Sequence, residues 1–147
     1  FATLPGWSAV PEVTFSIFGE RGAIDMLAWH EPTRTLLVIE LKTEIVDVQE
    51  LIGTLDRKRR LAPKIAAERG WRPATVATWV ILAEGRTNRR RVATHRTVLA
   101  DGRAMRAWLD VPSGPIAALT FWPSTDGVGG IGRLAPVRRV RVARPAG

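Results

Sequence analysis

The chain opens on a period of two: Val13, Phe15 and Ile17 alternate with Thr14 and Ser16, which predicts a half-buried strand over residues 12–18. The segment 19-GERG-22 reads as a tight glycine turn into 23-AIDMLAWH-30, and 31-EPTR-34 joins that run to 35-TLLVIELKT-43. These runs predict a three-stranded antiparallel meander. Within the third strand, 36-LLVIEL-41 is apolar on both faces apart from Glu40, as expected of a central strand covered on both sides.

After Thr43 the period becomes helical, with Val48, Leu51, Ile52, Leu55, Ala62, Ile65 and Ala66 on one stripe. Asp47 as N-cap with Glu50 three residues on marks the start, and Gly70 the end. Pro63 predicts a kink or split. The apolar run 75-TVATWVILAE-84 predicts a buried strand parallel to the third, since a β-helix-β crossover of this length suits a parallel pair. A helix over 86–102, with Thr87 as N-cap and Gly102 as stop, a short helix around 103–109 and a strand over 117–122 complete the order. The fold class is α/β, a mixed sheet flanked by helices. Residues 1–123 form one domain, and 124–147 are a Gly/Pro/Arg-rich basic tail or edge strand, with 137-VRRVRVAR-144 its strand candidate.

Composition narrows the setting. With 46% hydrophobic and 24% charged residues the 147-residue chain is globular rather than disordered. It has no cysteine, so disulfides and thiolate metal sites are excluded. No stretch approaches a membrane span and no signal-peptide pattern is present, so a cytoplasmic protein without membrane partners is expected. Phe1 rather than Met at the start suggests a piece with sequence missing upstream.

Charge is uneven. Residues 1–85 carry 10 Lys/Arg against 11 Asp/Glu, and residues 86–147 carry 12 Arg against 3 Asp. A net of +9 in the second part favours a polyanionic partner, nucleic acid being the commonest. Arg57, Lys58 and Arg60, on the polar side of the first helix, and Arg86, Arg89, Arg90 and Arg91, at the start of the second, are the expected phosphate contacts. A helix N-terminus would assist the second group.

The candidate chemistry lies in the hairpin. If His30 pairs with Thr35, Asp25 falls opposite Glu40 and Ala23 opposite Lys42, so that both carboxylates and the amine share one face. Two carboxylates that close repel unless a cation lies between them, and a hard divalent metal with oxygen ligands resolves the conflict. His30 and His95 lack metal-ligand spacing and read as ordinary histidines. No serine sits in a GxSxG context, and 127-GVGGIG-132 lacks the features of a P-loop.

Asp25 on the second strand, Glu40-Leu41-Lys42 on the third and Gln49 on the following helix together resemble the PD-(D/E)XK nuclease superfamily over residues 12–84. The resemblance implies a restriction-endonuclease-like core. It implies Mg²⁺ or Mn²⁺ held by Asp25, Glu40 and the Leu41 carbonyl, with Lys42 orienting the attacking water and Gln49 as an auxiliary contact. The implied reaction is phosphodiester hydrolysis in DNA. One departure is visible: residues 1–11 carry no counterpart of the acidic residue the family usually has on a helix before the first strand. The stretch 80-VILAEGRTNRRR-91 is similar to bacterial proteins in which such a domain follows a helix-turn-helix, which implies an upstream helix-turn-helix in the full chain; a homodimer is a further expected partner. Two alternatives stand beside the nuclease: a catalytically inactive nuclease-like DNA-binding module of a transcription regulator, and an oligomerisation domain whose basic tail contacts RNA or protein.

Overall fold

A computed structural model describes residues 3–94 and 100–122. It is an α/β fold: a five-stranded mixed sheet and, among the described residues, three helices. The strands are β1 (Trp7–Ile17), β2 (Glu20–His30), β3 (Thr35–Lys42), β4 (Thr75–Ala83) and β5 (Ala117–Trp122), in sheet order β1-β2-β3-β4-β5. The first three pair antiparallel and the last two add in parallel, as expected for β4 after its helical crossover. The helices are α1 (Val48–Ala67), α2 (Arg86–Ala93) and α3 (Gly102–Asp110). None is long and apolar enough to cross a membrane.

Both sheet faces are covered, which explains why β3 and β4 are apolar throughout. On one face, Trp7, Leu37, Ile39, Trp79 and Ala118 pack with Met105, Trp108 and Leu109 of α3. The other face lies under α1 and divides into two apolar clusters. Leu61, Ala62, Ile65 and Ala66 cover Leu27, Trp29, Leu36 and Val38. Val48, Leu51 and Leu55 cover Val80, Leu82 and Leu119.

Asp47 caps α1 as expected, its carboxylate accepting the Gln49 and Glu50 N–H groups. Pro63 does not split the helix. Its ring is on the exposed side, while Leu61, Ala62, Ile65 and Ala66 pin the surrounding turns to the sheet. Gly70 takes a left-handed φ of +75° just past the helix end, and Trp71 N–H closes onto Ala66.

Several expected boundaries move. β1 begins at Trp7 rather than residue 12; Pro11 is tolerated because β1 is an edge strand. The first turn is Phe18-Gly19 rather than 19–22, since Ile17 pairs with Glu20 and both turn residues have positive φ, 51° and 78°. That is the left-handed geometry that matches strand twist in a two-residue hairpin. The helix expected over 86–102 is shorter. Gly85 takes the N-cap place assigned to Thr87, α2 ends at Ala93, Ala100 bridges to Ala118 of β5, and Gly102 begins α3 behind the N-cap Asp101 rather than ending α2. His95 and residues 124–147, including the 137–144 strand candidate, lie outside the described residues.

Candidate functional site

The β2–β3 ladder follows the expected register from His30↔Thr35 to Met26↔Ile39 and stops there. Asp25 is the next residue. Side-chain alternation reverses at this point in two strands. In β2, Leu27 and Trp29 face α1 before the break and Ile24 faces it after; in β1, Trp7 faces α3 whereas Val13 and Phe15 face α1. Glu12, which like Asp25 falls in the gap of the β1–β2 pairing between Pro11↔Met26 and Val13↔Ile24, has φ +52°, the conformation that accommodates this switch. Asp25 and Glu40 are therefore not ladder partners, and Ala23 pairs with Thr14 of β1 instead of facing Lys42.

The two carboxylates nevertheless converge. Where β2 leaves β3, Asp25 Oδ2 accepts the Leu41 N–H at 2.8 Å in place of a strand carbonyl. That bond holds the Asp25 carboxylate against the main chain next to Glu40. Glu40 is only 2% exposed, and its Oε1 accepts from Lys58 Nζ at 2.7 Å. Lys58 occupies the α1 position between Leu55 and Leu61, so the ion pair fills the gap between the two apolar clusters under that helix. Burial pushes the Glu40 carboxyl up to about 7; the Lys58 ammonium opposes the rise, and the Asp25 charge adds to it. Lys42, half-buried at the end of β3, pairs with Leu82 of β4, and its side chain makes no hydrogen bond or ion pair among the described residues.

No family model, curated protein or solved structure matches the chain.

Other expected site residues separate. Gln49 is exposed in the first turn of α1, and no hydrogen bond ties its side chain to Asp25, Glu40 or Lys42. Lys58 leaves the polar side of α1 to which the sequence pattern assigned it, because burial against Glu40 turns it inward. Arg60 is exposed and bonds Glu20 at 3.2 Å. Arg57 lines an open groove of about 870 Å³ with Arg59, Pro63, Thr75 and Pro115, and its Nε is buried without an acceptor.

On α2, Arg90 and Arg91 occupy the last turn, the favourable end of the dipole rather than the expected N-terminus. Arg89 grips Glu84 through Nη2 at 2.7 Å and lies over the Phe121 ring at 4.3 Å. Arg91 donates to the Ile45 carbonyl and approaches Glu44 at 3.6 Å. Arg86 and Arg90 are exposed.

Sequence reasoning passed over Asn88. Buried on α2, it donates to the carbonyls of Thr43 and Ala83 at 3.1 and 3.0 Å and accepts the Ile45 N–H at 3.3 Å. It thereby fastens the exit of β3 to the exit of β4 beside the carboxylates. An asparagine in an arginine-rich run carries no sign of this. His30 is a core residue: it contacts Thr33 at 2.7 Å and packs on Trp7, and burial lowers its pKa despite a hydrogen bond with Pro5.

Among the described residues no group of three or more His, Asp or Glu could hold a metal ion. The side-chain oxygen donors at the site are the two carboxylates. Hard oxygen donors of that kind fit Mg²⁺ or Mn²⁺, and a cation there would relieve the carboxylate repulsion that helps raise Glu40.

Proposed function

We propose that this chain carries a PD-(D/E)XK-like nuclease site on a restriction-endonuclease-like core and hydrolyses phosphodiester bonds in DNA with a divalent metal. The observation that supports this most is the convergence of Asp25 and Glu40 at the point where β2 leaves β3, with Lys42 two residues along the same strand. Asp25, Glu40 and the Leu41 carbonyl would hold Mg²⁺ or Mn²⁺. When bound, such an ion polarises a phosphoryl oxygen and acidifies water.

The chain's own groups have separate tasks. The Asp25–Leu41 bond fixes the carboxylate's direction. Lys42, whose side chain has no hydrogen-bond or ion-pair partner among the described residues, would orient water against phosphorus and stabilise the charge that develops there. Gln49 would join only when substrate draws its exposed side chain in. The Arg57 and Arg59 side chains lining the groove along α1 would offer a phosphate seat.

Plasmid cleavage in Mn²⁺ tests the assignment. Asp25→Ala and Lys42→Ala are expected to abolish cleavage while DNA retention persists; wild-type protein inert with every divalent metal and binding none would sink it. A second reading, an inactive DNA-binding module of a transcription regulator, is favoured by one observation: Lys58 already neutralises Glu40 without a metal. Under that reading DNA is retained and never cut.

A further inference from the structure

Lys58 belongs to none of the motifs that mark the site, yet it makes the shortest charged contact within it. Its side chain is 9% exposed and that of Glu40 2%, so the pair is nearly closed to water. Asp25 is occupied differently, accepting the Leu41 N–H, and Lys42 holds neither carboxylate. The ammonium of Lys58 therefore stands where a cation serving Glu40 would have to act.

We propose that Lys58 and a divalent cation compete for the Glu40 carboxylate, Lys58 being the resident counter-ion that a bound metal must displace or tolerate. The inference rests on the nuclease-like assignment of Asp25 and Glu40. Three features carry it. Lys58 already supplies a positive charge to Glu40, so a divalent ion entering beside it would add charge to a carboxylate that has a counter-ion. The Lys58 Nζ is already within hydrogen-bond distance of a prospective ligand oxygen, close enough to repel an incoming cation. Finally, Lys58 hangs from a flexible four-carbon stem on α1 rather than from the strands that fix Asp25 and Glu40, so it can withdraw without disturbing either. Lys58 acts through Glu40 and is a positioning residue.

Mn²⁺ binding, measured on the full chain by calorimetry and by loss of the free-ion spin resonance signal, tests the competition. Lys58→Met is expected to bind Mn²⁺ at least tenfold more tightly than wild type and to gain more in melting temperature when Mn²⁺ is added. Lys58→Gln, which can still donate a hydrogen bond to Glu40, guards against a misfolded methionine variant and should shift affinity in the same direction. Glu40→Gln should remove the gain in combination with either substitution. Wild-type binding that is unchanged or weakened in both Lys58 variants would overturn the competition and leave the metal assignment standing. Binding by the Lys58 variants alone would support the competition and count against cleavage by the wild type. Absence of Mn²⁺ binding in all three proteins would overturn both.

Discussion

Glu40 makes stability depend on pH in a definite direction. Its folded pKa of about 7 lies above the ordinary 4.5, so between those values the folded protein holds a proton that the unfolded chain has released. Stability from this group is complete below pH 4.5, falls as pH rises through the window and levels off above 7. At roughly 1.4 kcal/mol per pH unit the fall is on the order of 3 kcal/mol. Urea unfolding of wild type and Glu40→Gln at pH 5 and 7.5 isolates it: the falling component should be present in wild type and absent in the variant, and parallel pH curves would refute the assignment. Asn88 is a further buried polar residue beside the site. Asn88→Ala removes three hydrogen bonds and strands two carbonyls, an expected loss of about 2–3 kcal/mol in the same assay. A loss below about 0.5 kcal/mol, the usual size for an inconsequential surface change, would show that the two strand exits are held by other contacts.

Among the elements, the β1–β2 turn carries a correctable strain. Phe18 is 81% exposed at φ +51°, a conformation costly for a bulky residue, and its one distinctive contact is Lys64 Nζ at 3.6 Å from the ring centre. Asparagine tolerates this geometry, and Asn-Gly is a favoured pair for such a turn. Phe18→Asn should therefore raise stability by about 0.5–1 kcal/mol in thermal unfolding, the range of comparable backbone corrections; a fall would mean that the lysine contact outweighs the strain. The same turn shows what sequence pattern can and cannot reveal. The His30↔Thr35 register, the Asp47 cap and the parallel placement of β4 were legible because alternation, capping chemistry and crossover length each act locally or by simple geometry. The Phe18-Gly19 turn was not, because phenylalanine gives no hint of a left-handed conformation. Nor was the reversal of alternation at Glu12 and Asp25, since it depends on two strands switching faces together. Asp25 and Glu40 thus stand out in the sequence by residue type and apolar surroundings, while the bond that ties Asp25 to β3 comes from a break in the ladder. Lys58 was misplaced because helical periodicity shows which direction a position faces but not that a buried carboxylate waits there.

Across the whole molecule, the carboxylate site and most of the positive charge occupy different parts of the chain, so under the proposed nuclease reading binding and chemistry can be tested separately. Several arginines near the site are already engaged: Arg60 by Glu20, Arg89 by Glu84 and Arg91 by Ile45 and Glu44. A guanidinium held by a carboxylate must exchange partners to meet a phosphate, so these should add little to DNA affinity. Arg57 and Arg59 in the α1 groove, the latter only loosely paired with Asp56 at 3.9 Å, and Arg133, Arg138, Arg139, Arg141 and Arg144 in the basic segment beyond the described residues, remain the chief candidates. Each phosphate neutralised contributes about 0.9 to the slope of log affinity against log salt on duplex DNA. Replacing the five C-terminal arginines by glutamine in the full chain should therefore flatten the slope by up to about 4–5, and Arg57→Gln with Arg59→Gln by up to about 2. Both sets should weaken all duplex sequences alike, because phosphate contacts carry no base information. Cleavage per bound DNA should be unchanged, since neither set contains Asp25, Glu40 or Lys42. Filter-binding titrations between 50 and 300 mM salt measure the slope. An unaltered slope in both variants would remove the polyanion-binding role of this charge, whereas a lower rate of cleavage at saturating protein would show that the arginines position the scissile phosphate as well as attract the duplex.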